Sequence, residues 1–476
     1  MANSYPPLGL GYLAAVLEKA GHQVAIFDFG LNPRSSVDED LAQIASFHPH
    51  LVGFTSMTNV YHSAADLARW VKRALGCPIV FGGPHATVYP LRVLAEPFVD
   101  YVVYGEGEET LLELVSALEG KGPDIEDIRG LCYKANSELR QNPARPLLTD
   151  LDALPFPARH LFEIERYGLY TPDGERMITV LSSRGCPFNC SYCFKGIVGR
   201  TYRQRSPQNI IAELRHVMAE YNVHNFYFID DLFTIDSRRL EAFTQRVIEE
   251  GLEIRWQCLG RVDRVKPELL RKMYQAGCRQ IHYGIESGNQ RILDEVGKGI
   301  TLEQVRQAVT WTEQAGIAAK GYFMLGLPGD TVETIEQTIA FAASLDLKEA
   351  MFSITTPFPG TRLWDELVRK RPETEFNQDF SRAYYYTNYE DEVAPFLNVS
   401  EVPDTTLGHM VKVAHSHFQE AKRRRVYRRA FGRFWGDVLW YLSRLPGVRA
   451  LGRRMLGLPF FDAFRQMRRG RAKTWA

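Results

Sequence analysis

The sequence predicts an α/β protein: a doubly wound parallel-sheet domain, then a partial (β/α)6 barrel, then a helical tail. Three patterns predict it. Short apolar runs alternate with helical patterns from the start to about Asp150. The alternation resumes between Arg176 and Asn398. From Ala421 to Ala476 the chain turns helical and strongly basic. Short apolar runs separated by helices imply a parallel sheet covered on both faces, because each crossover lays a helix on it. The expected divisions are 1–150, 151–400 and 401–476.

In the first unit, Leu10–Lys19 reads as a helix stopped by Gly21, and Gln23–Phe29 as a short strand. A helix over Val37–Phe47 precedes strand Leu51–Thr55, and the alanine-rich helix Ser63–Leu75 precedes strand Pro78–Phe81. Strand Tyr101–Val103 and helix Glu109–Leu118 complete it. Such a sheet is expected to open with a strand before Pro6. Only five residues stand there, so either that edge strand is absent or the chain begins late. The loops Gly82-Gly83-Pro84-His85-Ala86 and Tyr104-Gly105-Glu106-Gly107-Glu108 follow two of the strands. Ligands of open parallel sheets sit at strand carboxyl ends, and glycine there lets a flat group approach the backbone.

A proline-bearing join, Leu147–Pro172, leads to six further strands. They are Met177–Leu181, Asn225–Ile229, Ile254–Cys258, Gln280–Ile285, Ala319–Leu325 and Glu349–Ile354. With intervening helices they fit a partial barrel whose active site faces the strand carboxyl ends.

The 476 residues carry 57 Lys and Arg against 57 Asp and Glu. That zero is a cancellation. Residues 421–476 hold 16 basic and 2 acidic side chains, so the remainder carries −14. With 45% hydrophobic residues the chain can bury a sizeable core. No apolar run reaches the ~18 residues of a spanning helix, and the start lacks the basic-then-apolar pattern of a secretory signal. Seven unevenly spaced cysteines suit a reducing compartment rather than a disulfide framework. The expected location is cytoplasmic. Cys77, Cys132, Cys258 and Cys278 read as small buried apolar side chains.

The other three cysteines lie in Arg184-Gly185-Cys186-Pro187-Phe188-Asn189-Cys190-Ser191-Tyr192-Cys193-Phe194, just after the first barrel strand. Zinc asks for four ligands, and no matching histidine or cysteine pair is evident. A [4Fe–4S] cluster is normally held by four thiolates, so three would leave one iron open. The spacing Cys-x3-Cys-x2-Cys, with Tyr192 before the last cysteine, resembles the signature of the radical S-adenosylmethionine (SAM) enzymes, of MiaB-like type. The resemblance implies that Cys186, Cys190 and Cys193 bind the cluster and that SAM chelates its open iron. It also implies an external electron donor such as flavodoxin or ferredoxin, and reductive SAM cleavage to a 5′-deoxyadenosyl radical.

The later barrel loops extend the resemblance, and with Tyr192 they supply the implied SAM contacts. Asp230 and Asp231 end the second strand; they accept from the SAM ammonium, cap the next helix or pair with barrel arginines. Glu286 and Ser287, after the fourth, meet ribose hydroxyls or cap a helix. Leu325 and Gly326, after the fifth, form an adenine wall or a plain turn. Thr356–Thr361 shapes the rim.

Pro6–Ala14, Gly82–Thr87 and Asp100–Glu108 resemble the N-terminal domain of cobalamin-dependent radical SAM proteins. The resemblance implies cobalamin between sheet and barrel, beside Gly9, Tyr12, Gly82, Gly83, His85, Gly105 and Glu106. The Asp-x-His-x-x-Gly pattern for cobalt is absent, which favours a histidine-off state; His85 is read as a loop stabiliser or a cobalt ligand. The implied reaction is methylation of an unactivated carbon. The alternatives are a radical cyclase, dehydratase or rearrangement enzyme, with the first domain retained for packing or gating. No catalytic acid or base is assigned; Tyr384, Tyr385, Tyr386 and Tyr389 line a substrate entrance or pack a junction.

In the tail, Tyr427, Phe431, Phe434, Val438 and Leu442 recur at three- and four-residue steps beside Arg428, Arg429 and Arg433. Trp435, Trp440 and Tyr441 add interface-compatible aromatics, and 448–471 repeats the apolar-basic pattern. The expectation is peripheral contact with an anionic membrane on its cytoplasmic face, or docking of the stripe on the barrel. Membrane contact would fit a lipid-like small-molecule substrate. No nucleic-acid partner is expected, since basic charge alone provides no base readout.

Overall fold

The computed structural model describes residues 5–31, 36–375, 379–383 and 394–444. The first unit runs α1 (Leu8–Lys19), α2 (Val37–Ser46), β1 (Val52–Thr55), α3 (Tyr61–Leu75), β2 (Ile79–Gly82), α4 (Gly83–Val88), α5 (Pro90–Leu94), β3 (Tyr101–Val103), α6 (Glu108–Leu118), β4 (Leu131–Ala135) and β5 (Glu138–Gln141). Strands β1, β2 and β3 are parallel, and the β4–β5 hairpin adds antiparallel to β3. Alternate residues bury on opposite faces, as strand geometry requires. Ile79, Phe81 and Val102 pack with helices α2, α3 and α5, while Val80 and Val103 pack with Leu114 of α6. Both faces are therefore covered.

Two local features depart from the sequence reading. Gln23–Asp28 forms no regular element and joins no ladder, leading into a tight turn at Phe29–Leu31. A strand exists only beside a partner, and among the described residues none lies next to it; Phe27 and Phe29 pack on the core instead. The β4–β5 hairpin was not expected. Asn136 and Ser137 both take positive φ, 49° and 66°, as a two-residue type I′ turn demands.

The second unit runs β6 (Ile178–Val180), β7 (Ser183–Arg184), β8 (Arg203–Gln204), α7 (Pro207–Tyr221), β9 (Asn225–Phe228), α8 (Ser237–Glu249), β10 (Arg255–Gly260), α9 (Pro267–Gln275), β11 (Cys278–Glu286), α10 (Gln290–Glu295), α11 (Leu302–Gln314), β12 (Ala318–Leu325), α12 (Val332–Ser344), β13 (Glu349–Ile354) and α13 (Arg362–Lys370). Six of these strands form one parallel sheet in the order β13-β12-β11-β10-β9-β6. All six expected strands are present, within a few residues of their expected ends. Ile281, Tyr283 and Ile285 of β11 face the helical layer, where the Tyr283 hydroxyl meets Thr312 at 2.8 Å. His282 takes the opposite face, against Tyr227 and Tyr322 of the neighbouring strands.

Two helices follow, α14 (Asp404–Phe431) and α15 (Arg433–Leu442). Leu407, Met410, Val411, Ala414 and Phe418 bury one side of α14 in the barrel core. Residue 436 lies against the backbone of Arg428, where any Cβ would overlap it; Gly436 thus lets α15 fold back closely on α14. Tyr384–Tyr386, Tyr389 and the tail beyond Arg444 lie outside the described residues.

Candidate active site

The three-cysteine loop hangs between β7 and β8, at the carboxyl end of β6. Its entry needs glycine: Gly185 has φ of +86°, and a Cβ there would overlap the Thr201 carbonyl oxygen. The loop is tied down on several sides. Ser191 N donates to Val296 O at 2.9 Å, Leu363 N donates to Ser191 O at 2.8 Å, and Lys195 Nζ donates to the carbonyls of Cys186 and Phe188. The Arg261 guanidinium lies 3.5 Å from the Phe188 ring centroid, a close cation–π contact.

Cys186 and Cys190 are half-buried and Cys193 is exposed. Among the described residues no three His, Cys, Asp or Glu groups converge as one metal ion would require. A cubane asks for something different, because each thiolate binds a separate iron. Three thiols on one restrained loop, with a solvent-open side, match that donor set.

Asp231 and Asp230 have separate roles. Asp231 is an exposed residue and accepts from Gly185 N at 3.1 Å. Surrounding protein atoms, then the neighbouring Asp230 charge, hold its carboxyl above the usual range. Asp230 is fully buried and accepts from Ser182 N at 2.6 Å and from the hydroxyls of Ser182 and Ser183. It is thereby committed to shaping the turn into the cysteine loop rather than aimed at a ligand.

Glu286 sits in the left-handed region, φ 70°, at a break in the β11–β12 register. A non-glycine residue held there is strained by about 1–3 kcal/mol. Its carboxylate accepts from Lys298 Nζ at 2.7 Å, and Lys298 lies 3.4 Å from the Tyr192 hydroxyl. Burial, then Glu286, raises the Tyr192 pKa well above its ordinary value. Tyr192, Glu286 and Lys298 therefore form one unit behind the cysteine loop. Ser287 instead accepts from Asn289 N and meets Thr338, a turn role, while the cap of α10 is Asn289 itself. Leu325 is wholly buried in the core, while its neighbour Met324 is partly buried against the Ile292, Val296 and Leu327 cluster, on which Tyr192 also packs. Gly326 is a turn residue, φ 82°, whose N–H donates to Asp330.

In the first unit, β1 and β2 end side by side. Gly83, φ 86°, lies so close to Thr55 that a Cβ would overlap its hydroxyl. Gly82 is extended, with φ of −146°. His85 N donates to Ser56 O, and the His85 ring stacks on Tyr61 at 4.0 Å. Burial lowers the His85 pKa to about 4, keeping the ring neutral. His85 Nδ1 and Ser56 Oγ are both buried without a hydrogen-bond partner. Such orphans are rare where nothing binds, and a polar ligand at this edge would satisfy them. Gly105, φ 79°, donates its N–H to Thr87 and has open space beside it. Gly9 is exposed on α1 with nothing near its Cα hydrogen.

Tyr12 and Glu106 join the two units instead of facing the first unit's loops alone. The Tyr12 hydroxyl donates to Leu181 O at 3.4 Å, and burial pushes its pKa up to about 12. Glu106 accepts from Leu148 N, from Arg184 at 2.9 Å and from Arg203 at 2.7 Å. Arg184 also donates to Glu108 at 2.6 Å. Sequence reasoning missed this network, along with Lys298, Arg261 and Ser56. The available signal was Arg184, directly before Gly185-Cys186, and the second acid of Gly105-Glu106-Gly107-Glu108.

A glycine-edged sheet bound directly to the three-thiol loop of a parallel half-barrel defines the class of enzymes that pair a corrinoid with an iron–sulfur cluster. Residues 1–115 match the B12 binding domain and residues 180–342 the radical SAM superfamily. An uncharacterized methyltransferase of Pyrococcus horikoshii is 39% identical over 76% of this chain and 78% of its own. The anaerobic magnesium-protoporphyrin IX monomethyl ester cyclase of Rubrivivax gelatinosus is 30% identical over 79% and 69%. The radical SAM methyltransferase TsrM from Kitasatospora setae, solved with cobalamin and a [4Fe–4S] cluster, superposes with a TM-score of 0.65 at 20% identity, over 77% and 75%. The chain belongs to the cobalamin-dependent radical SAM enzymes, whose cofactors are a [4Fe–4S] cluster, SAM and cobalamin.

Proposed function

We propose that the protein is a methyltransferase acting on an unactivated carbon of a hydrophobic biosynthetic substrate. The observation that supports this reading is the buried Glu106–Arg184–Arg203 unit, which ties the loop after β3 to the strand leading into Cys186. One side of that unit serves the corrinoid domain and the other the cluster loop, so the two cofactors would be held in register.

Cys186, Cys190 and Cys193 would hold the cluster, and Asp231 with the Tyr192–Glu286–Lys298 unit would orient SAM. Ser56, Gly83 and His85 would receive the corrinoid edge. The cofactors supply hydrogen abstraction and methyl carriage when bound. The chain supplies position and dryness. Apolar packing around the barrel limits water, which protects a reactive carbon centre. His282, bonded through Nδ1 to Tyr227 and Tyr322 at 3.3 and 3.2 Å and through Nε2 to Gln280 at 3.2 Å, anchors a polar cluster four residues below Glu286 on β11. Four residues span about 13 Å along a strand, so it would meet the far end of a substrate. An external donor of the flavodoxin or ferredoxin class would deliver the electron.

A second reading is ring formation without methyl transfer, favoured by the likeness to the Rubrivivax cyclase. Anaerobic incubation with methyl-labelled SAM in cell extract separates the two. Label in an organic product, found by mass spectrometry of soluble and lipid fractions, supports methylation. SAM cleavage with no label transferred supports the cyclase-type reading.

A further inference from the structure

We propose that the α14–α15 hairpin is a docking surface for an anionic lipid membrane, and that it tethers the enzyme by the end opposite its cofactors. Val426, Phe431, Phe434, Trp435, Tyr441 and Leu442 are all exposed, Phe434 by 71% and Trp435 by 62%. Scattered exposed apolar residues are ordinary, but six fall within 17 consecutive positions of one hairpin, where the Phe434 and Trp435 rings meet at 5.4 Å and nucleate an apolar patch. The hairpin is held to the body. Arg425 donates to the carbonyls of Ala343 and Leu347, and Arg429 pairs with Asp346. Asp437 accepts from Arg424 and Arg428, locking α15 against α14. These pairings neutralise some arginines and leave Arg423 and Arg433 exposed beside the aromatics.

Charge selects the occupant. Residues 421–476 carry a net +14, and the eight basic residues beyond Arg444 stand against a single acid. Arginine beside exposed Phe, Trp and Tyr is the composition of a helix lying in the headgroup region of an anionic bilayer. Among the described residues no helix is long and apolar enough to cross a membrane, so contact would be with one surface.

The fold orients that contact. Leu407 packs on Gly326, at the carboxyl end of β12, and Phe431 lies 24 residues further along the same helix. At 1.5 Å per residue the two are about 36 Å apart. Arg425 bonds Leu347, just before the start of β13, which puts the hairpin at the amino ends of the strands. The cysteine loop lies at the other end. Docking would then recruit the enzyme without occluding its cofactor side.

The test is flotation of the anaerobically purified full chain with phosphatidylglycerol–phosphatidylcholine vesicles or with phosphatidylcholine alone. The expected result is binding to the anionic vesicles, weakened by salt, and at least about tenfold lower in Phe434→Ser/Trp435→Ser. Both positions are exposed, so that variant should keep the wild-type thermal midpoint and reductive SAM cleavage. Equal flotation of variant and wild type would overturn the proposal, as would no flotation with anionic vesicles. So would vesicle binding that appears only after removal of residues 445–476, which would mean the tail covers the patch. A wild-type dimer that the double variant dissociates, without vesicle binding, would assign the patch to a second copy instead.

Discussion

The Glu106 carboxylate accepts from Arg184 at 2.9 Å and from Arg203 at 2.7 Å, with all three side chains buried. Arg184 is two residues before Cys186, so the corrinoid-side loop and the cluster loop share one charged joint. A buried network of this kind is weak evidence for net stability, because desolvation offsets its attraction. Its worth lies in geometry: with Glu106 in place, two guanidiniums are fixed in direction.

Removing Glu106 is costly because it leaves buried Arg203 without a carboxylate and Arg184 with Glu108 alone. Glu106→Ala is expected to destabilise the fold by about 3–5 kcal/mol. Thermal unfolding followed by fluorescence should show a clear fall in the lowest transition. Glu106→Gln, which keeps an acceptor oxygen, should fall less. Equal midpoints for Glu106→Ala and wild type would remove the joint from the account.

Gly185 is the backbone hinge of the cysteine loop. Gly185→Ala combines a positive φ with overlap on Thr201 O, so the loop must shift or the carbonyl must move. Iron and sulfide content after anaerobic reconstitution should drop well below half of wild type while the helical circular dichroism stays unchanged. A full cluster complement would show that the loop tolerates the change.

The three thiols are expected to act as a set. Cys186→Ala, Cys190→Ala and Cys193→Ala should each abolish 5′-deoxyadenosine formation with dithionite, because a missing ligand releases one iron. Cys258→Ala, which alters a core thiol on β10, should retain it. Unchanged cleavage in any of the first three would break the ligand assignment.

His282 makes the fold acid-sensitive. Burial, then Lys320, lowers its pKa to about 3, against 6.5 for a free imidazole. The folded protein therefore binds fewer protons than the unfolded chain between those values. Stability is full above about pH 6.5 and falls as pH drops toward 3, by roughly 4 kcal/mol for this group. His282→Gln should lessen the slope of thermal midpoint against pH over that window. An unchanged slope would assign the acid sensitivity to other groups, such as His85.

Sequence reading recovered what is local or periodic. The alternation along β11 and β12 marked both strands, and the cysteine spacing marked a single loop. It could not see pairings across long separations. Glu106 looked like a loop ligand because Arg184 is 78 residues away. Asp230 looked like a SAM contact because nothing local shows that Ser182 and Ser183 claim both of its oxygens. Leu325 and Met324 differ by one residue, and in a strand that step exchanges core for lumen. Gln23–Phe29 has strand composition, but composition cannot supply a neighbouring strand.

The central claim is the proposed methyl transfer to an unactivated carbon, which would consume one SAM as methyl donor and one as radical source. The most direct measurement is anaerobic turnover with methyl-labelled SAM and native substrate in extract, with S-adenosylhomocysteine and 5′-deoxyadenosine quantified together. The account predicts equal amounts of the two coproducts, matched by labelled product. Formation of 5′-deoxyadenosine alone, with substrate consumed and no label transferred, would contradict it.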